Sequence, residues 1–149
     1  MSNIKVKVCG VSNLEMVKQL LELELDFIGF IFYKKSPRYV SNQIVQDLLS
    51  LDFGNTRPVC VYVNPTRDYV LETSSYFDNP ILQFHGEEPE SFCNSFNLEY
   101  WKAIRVKSSS SFSEILSYQS AEAILLENHK DGLYGGTGEA FDWSLIKDH

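Results

Sequence analysis

Short apolar, β-branched or aromatic runs recur along the chain at Ile4–Cys9, Asp26–Phe32, Pro58–Val63, Ile81–His85, Tyr100–Val106 and Ala123–Leu126. They are nearly continuous in apolar character rather than cleanly alternating, which predicts strands buried on both faces. Helical spacing fills the intervals. Ser12 with Glu15 forms a capping-box signature ahead of Leu14, Val17, Leu20 and Leu21. Ser41 precedes Ile44, Val45, Leu48 and Leu49, and Asn64–Pro65 leads into Tyr69, Val70 and Thr73. Pro89 stands at a first helical position before Phe92 and Cys93, and Ser111 with Glu114 repeats the capping box ahead of Ile115 and Leu116.

Strands alternating with helices imply βαβ units and a parallel sheet. No linker or composition break divides the chain, so one domain spanning residues 1–149 is expected. Periodicity leaves two architectures open: an open doubly wound sheet, or part of a closed barrel. A complete eight-stranded α/β barrel typically needs about 200 residues or more, and this chain has 149.

Charge narrows the partners. With 13 Lys and Arg against 20 Asp and Glu the net charge is −7, which argues against nucleic acid as the main partner. A local Arg or a set of backbone N–H groups can still hold an anionic small molecule. No apolar run approaches the roughly 18 residues of a membrane span, and the start MSNIKVKVCG lacks a signal-peptide core. No membrane association and a cytosolic location are therefore expected. Cys9, Cys60 and Cys93 have no CxxC spacing, so free thiols are expected rather than disulfides or a zinc site.

In both candidate architectures ligands bind at the carboxyl ends of the strands. Polar residues and glycines collect there. Cys9, followed by Gly10, closes the first run; a thiol there is a nucleophile or base if a helix start or a cation lowers its pKa, or else a small buried hydrophobe. Lys34-Lys35-Ser36-Pro37-Arg38 puts three cations into five residues, enough to clamp a carboxylate or to form a solvated loop. His85 ends the fourth run, as a functional group or a satisfied core histidine. Gly135-Gly136-Thr137-Gly138 lets backbone approach a ligand or turn sharply, and no Lys follows it, so it is not a Walker loop. Glu127 just before it is an acid or base candidate, or an exposed side chain with no role.

Taken in order, Lys5-Val6-Lys7-Val8-Cys9-Gly10, Ser36-Pro37-Arg38-Tyr39-Val40-Ser41, Val61-Tyr62-Val63-Asn64-Pro65, Leu82-Gln83-Phe84-His85-Gly86, Lys102-Ala103-Ile104-Arg105-Val106 and Tyr134–Trp143 resemble the phosphoribosylanthranilate isomerase family of tryptophan biosynthesis. The likeness runs from about residue 4 to residue 146. It implies a (β/α)₈ TIM barrel that uses no metal or organic cofactor and acts on a phosphorylated small molecule by an Amadori rearrangement. It further implies Cys9 as general base, Arg38 as the guanidinium that meets the anthranilate carboxylate, and Gln83 and His85 lining the pocket floor. Gly135, Gly136, Thr137 and Gly138 would form a loop closing over the substrate.

Two departures accompany the resemblance. The family's general acid is an Asp, and the matching position here is Glu127, one methylene longer. The chain also ends at Lys147-Asp148-His149, after about six of eight βα units, so a barrel wall with unclosed edges is expected, open to self-association through them. The alternative to an isomerase is a non-catalytic remnant with weak affinity for anions.

Overall fold

The computed structural model describes residues 4–106, 109–128, 142 and 144. Strands β1 (Lys7–Cys9), β2 (Phe27–Ile31), β3 (Arg57–Tyr62), β4 (Ile81–Phe84), β5 (Tyr100–Val106) and β6 (Ala123–Asn128) form one sheet in chain order. Every pairing is parallel. Helices α1 (Leu14–Leu21), α2 (Asn42–Leu48), α3 (Arg67–Ser74) and the single turn α4 (Glu90–Cys93) occupy the first four crossovers, and a 3₁₀ segment, Ser109–Ser117, occupies the fifth.

Strand order separates the two architectures. A doubly wound sheet reverses its order at a switch point, whereas here each strand pairs with its sequence neighbours, as in a barrel wall. The wall is curled. Phe27 on β2 and Trp101 on β5 are three strands apart, about 14 Å across a flat sheet, yet their rings meet edge to face at 4.8 Å. Lys7 on β1 likewise reaches Gln83 on β4. The fold is the expected parallel α/β barrel wall, six strands wide among the described residues.

Side-chain alternation assigns the two faces. Ile31, Val59, Val61, Ile81 and Trp101 form an inner cluster on the concave side. Ile28, Phe30, Cys60, Tyr62, Leu82, Phe84, Tyr100 and Ile104 point outward and are sealed by Val17, Val45, Leu48 and Val70 from the helices. The outer layer is rich in stacked and edge-on rings, such as Phe30 on Phe77 at 5.2 Å and Phe84 on Phe96 at 5.9 Å. The Tyr62 hydroxyl shares a hydrogen bond of 2.8 Å with Thr73, which ties α3 to β3.

Several boundaries differ from the expected ones. β1 begins at Lys7, because Ile4 and Val6 are exposed and only the Val6 carbonyl joins the ladder, accepting from Phe27 N. The cap of α1 is Asn13 rather than Ser12, its side chain accepting from Glu15 N at 2.8 Å and Met16 N at 3.2 Å. Thr66 caps α3, and Pro89 is the cap residue of α4 rather than its first helical residue. The segment Ser109–Ser117 is 3₁₀ instead of α-helical; serine has a lower intrinsic preference for the α-helix than alanine or leucine. β6 is half-buried throughout rather than fully buried, since among the described residues it pairs only with β5. No helix among the described residues is long and apolar enough to cross a membrane.

Candidate active site

The concave face opens at the carboxyl ends of the strands into a cavity of about 290 Å³. Lys7, Cys9, Tyr33, Arg38, Gln83, His85 and Glu127 line it, with apolar walls from Ile31, Val61, Val63 and Leu125. A larger cavity of about 370 Å³, bounded by Leu48–Leu49, Asp52–Gly54 and Tyr76–Asn79, lies at the amino ends of β3 and β4. The chemistry-bearing side chains converge on the smaller one, at the end of the sheet where such folds bind ligands.

Glycines make room for this convergence. Lys7 and Cys9 stand two residues apart on β1 and so share its inner face. Opposite them is Gly29, where a Cβ would lie 2.8 Å from Cys9 Sγ and 3.1 Å from Lys7 Cε. Gly10 turns the chain out of β1 with φ +81°, and a Cβ there would sit 2.6 Å from Arg38 Nη1. Arg38 crosses that gap to donate to the Cys9 carbonyl at 3.2 Å. Among the described residues it forms no ion pair, which leaves guanidinium donors for a planar anion.

A directed polar chain crosses the floor. Lys7 Nζ donates to Cys9 Sγ at 3.5 Å and to Gln83 Oε1. An amine that donates to Gln83 fixes the contacted atom as the amide oxygen, so Gln83 Nε2 faces His85 Nδ1, 3.3 Å away. His85 Nδ1 is then an acceptor, and the neutral ring carries its proton on Nε2. That nitrogen lies 2.7 Å from Glu127 Oε1. The separation is that of an ion pair; both atoms are buried, and neither has a well-directed hydrogen bond to another described group. Burial holds the Lys7 ammonium below the ordinary lysine pKa, with the neighbouring Cys9 opposing the shift.

Behind His85 a second network fixes the loop. Asn64 adopts φ +46°, accepts at Oδ1 from Glu87 N at 2.8 Å and donates through its own N to Glu88 Oε1 at 2.7 Å. Gly86 N donates to Glu88 Oε2 at 3.0 Å. Buried Lys102, from the outer face of β5, donates to Gly86 O at 2.7 Å and to Glu88 Oε2 at 3.3 Å. A Cβ at Gly86 would meet Asn64 Cγ at 2.7 Å. The residue after His85 therefore has little freedom.

A sequence model described as N-(5'phosphoribosyl)anthranilate (PRA) isomerase matches residues 6–149. The N-(5'-phosphoribosyl)anthranilate isomerase of Nitrosomonas europaea is 39% identical over 144 residues, covering 96% of this chain and 68% of the relative. The crystal structure of phosphoribosyl anthranilate isomerase from Thermotoga maritima superposes with a TM-score of 0.80 at 34% identity, over 96% of this chain and 70% of that one. The chain belongs to the phosphoribosylanthranilate isomerase family. A further solved isomerase, in complex with reduced 1-(o-carboxyphenylamino)-1-deoxyribulose 5-phosphate, superposes with a TM-score of 0.73 at 32% identity, over 85% of this chain and 66% of that one.

Within this isomerase-family wall, Cys9, Arg38, Gln83, His85 and Glu127 come together around one cavity. Gly135, Gly136, Thr137 and Gly138 lie outside the described residues. Cys60 and Cys93 are fully buried packing residues whose thiols burial pushes up to about 12. Among the described residues no cluster of three or more His, Cys, Asp or Glu is placed to hold a metal ion. Sequence reasoning passed over Lys7, Gly29 and the Glu88–Lys102 pair. Lys7 was detectable in principle, because it shares the strand parity of Cys9.

Proposed function

We propose that this chain isomerises N-(5'-phosphoribosyl)anthranilate to 1-(2-carboxyphenylamino)-1-deoxyribulose 5-phosphate, a cytosolic step of tryptophan biosynthesis, without metal or organic cofactor. The observation that carries the reading is the convergence of a thiol, a guanidinium and a carboxyl on one cavity in a member of this family. Arg38 would take the anthranilate carboxylate through two parallel N–H donors. Glu127, with Oε1 held beside His85, would protonate the furanose ring oxygen from its other oxygen. The C1′–O bond then breaks and the anthranilate nitrogen supplies the electrons of the imine. Cys9 as thiolate would take the C2′ proton, and the electron pair left behind becomes the C1′=C2′ bond of an enolamine. Proton return to C1′ and loss of the hydroxyl proton at C2′ complete the ketone.

The contact between Glu127 and His85 also favours a second reading, in which an engaged carboxylate is a poor acid and the cavity only binds anions. Turnover separates the two. The purified chain is expected to convert the substrate above the spontaneous rate, and Cys9→Ala to abolish conversion. A chain that binds the substrate without converting it would establish the second reading, and undiminished turnover by Cys9→Ala would remove the role given to Cys9.

A further inference from the structure

Lys7 is an anomaly among the cavity residues. Its ammonium is largely buried, donates to Cys9 Sγ and Gln83 Oε1, and lies 5.6 Å from the ring centroid of Trp101. Among the described residues no carboxylate pairs with it. A buried cation without an anion is costly, and among the described residues the group in hydrogen-bond contact with it that can become anionic is the Cys9 thiol. Gly29 leaves the space that both side chains occupy.

We propose that Lys7 is a positioning residue of the isomerisation, sharing a proton with Cys9 so that the sulfur stands as thiolate beside an ammonium. The inference rests on the isomerase reading and extends it. One proton serves the pair, as ammonium and thiolate or as amine and thiol, so no outside acid or base is needed. When the thiolate takes the C2′ proton, the C2′–H electron pair enters the enolamine, sulfur becomes a thiol, and Lys7 keeps its proton. Through Gln83 the same ammonium orients His85 toward Glu127, so one side chain arranges both the basic and the acidic sides of the cavity. Among the described residues the other titratable groups lining the cavity are Tyr33, Arg38, His85 and Glu127. Of these, Arg38 is a second cation near Cys9, but it donates to the carbonyl rather than to sulfur.

The test reads Cys9 directly. The native chain is treated with iodoacetamide across pH 6 to 10, and alkylation of the Cys9 peptide is followed by mass spectrometry; buried Cys60 and Cys93 do not compete. Lys7→Met is expected to slow alkylation at pH 7 about tenfold, because the thiolate loses the ammonium beside it. Lys7→Arg, which keeps the cation, is expected to restore most of the rate. In urea all three proteins should react alike. Lys7→Gln replaces Lys7→Met if the latter loses its native circular dichroism. An unchanged rate–pH profile in the neutral variant, or an Arg variant as slow as the neutral one, overturns the proposal. Turnover measured alongside keeps the two readings apart. The alkylation shift without isomerisation by the wild type would leave Lys7 coupled to Cys9 and remove the isomerase, whereas turnover with no shift would remove only the role of Lys7.

Discussion

Nε2 of His85 and Oε1 of Glu127 approach to 2.7 Å across the mouth of the concave face, from strands that are not neighbours. His85 is carried one residue past the end of β4, and Glu127 lies within β6, in register with Arg105 on β5. Their long side chains bridge the width of β5. The contact rests one carboxyl oxygen of Glu127 against the imidazole.

Glu127→Gln removes the carboxyl proton while keeping the shape, and turnover is expected to fall by about 100-fold or more, the usual contribution of a general acid. Glu127→Asp should withdraw the carboxyl from His85 by roughly 1–1.5 Å but keeps the acid, so turnover is expected to fall less than in the Gln variant, although misplacement on this scale can cost up to about 100-fold. Steady-state kcat for the three proteins checks both expectations. Equal losses in the Gln and Asp variants would show that position, not protonation, limits the reaction.

Much of this site was legible in the sequence. Cys9 and His85 close apolar runs, Glu127 follows one, Arg38 lies in the loop after another, and parallel sheets present ligand-binding groups at those ends. Lys7 was hidden for a physical reason: Ile4–Cys9 reads as a strand buried on both faces, and nothing in that pattern shows that the Lys7 ammonium lies in the cavity beside Cys9. Lys102 was hidden because a lysine inside Tyr100–Val106 interrupts an otherwise buried run, and its partners come from the loop after β4. The 3₁₀ segment at Ser109–Ser117 shows the limit of capping signatures. A Ser-x-x-Glu spacing marks a helix start only where the following residues favour continuation.

The Lys102–Glu88 pair should matter for stability through its asymmetry. Both side chains are almost wholly buried, and Glu88 also accepts from the main chain of Asn64 and Gly86. Lys102→Met leaves a buried carboxylate short of its cation and is expected to cost about 3–5 kcal/mol. The double variant Lys102→Met with Glu88→Gln should recover part of that loss, since the amide keeps an acceptor for one main-chain donor without a charge. Urea unfolding of both variants measures the difference, and a double variant less stable than the single one would contradict it.

Alkaline pH should loosen the fold before it reaches the buried thiols. Cys60 is fully buried and its thiol is pushed up from an ordinary value of 9.0 to about 12. Between those values the unfolded chain has lost the proton and the folded chain has kept it, so stability falls as pH rises. The contribution is intact below about pH 9 and is withdrawn toward pH 12, with a slope of at most about 1.4 kcal/mol per unit for this group. Buried Tyr118, also raised to about 12, acts in the same direction. Urea midpoints at pH 8, 9.5 and 10.5 should decline progressively, and Cys60→Val should decline less steeply than the wild type.

Arg38 and Gly10 should fail in the same way. Arg38→Lys keeps a charge but loses the planar fork, and a hydrogen bond to a charged group contributes about 1.5–3 kcal/mol. KM is therefore expected to rise about tenfold or more, with a smaller effect on kcat, since the carboxylate is held equally in substrate and transition state. Gly10→Ala should reach the same result by another route. Its Cβ would stand 2.6 Å from Arg38 Nη1 and 2.8 Å from Arg38 Cδ, at a φ of +81° that alanine resists. The guanidinium must then move off the Cys9 carbonyl, and the anion seat moves with it. If Gly10→Ala raises KM while Arg38→Lys combined with Gly10→Ala adds little more, the glycine acts through the arginine; additive losses would mean that the turn after β1 serves the thiol instead.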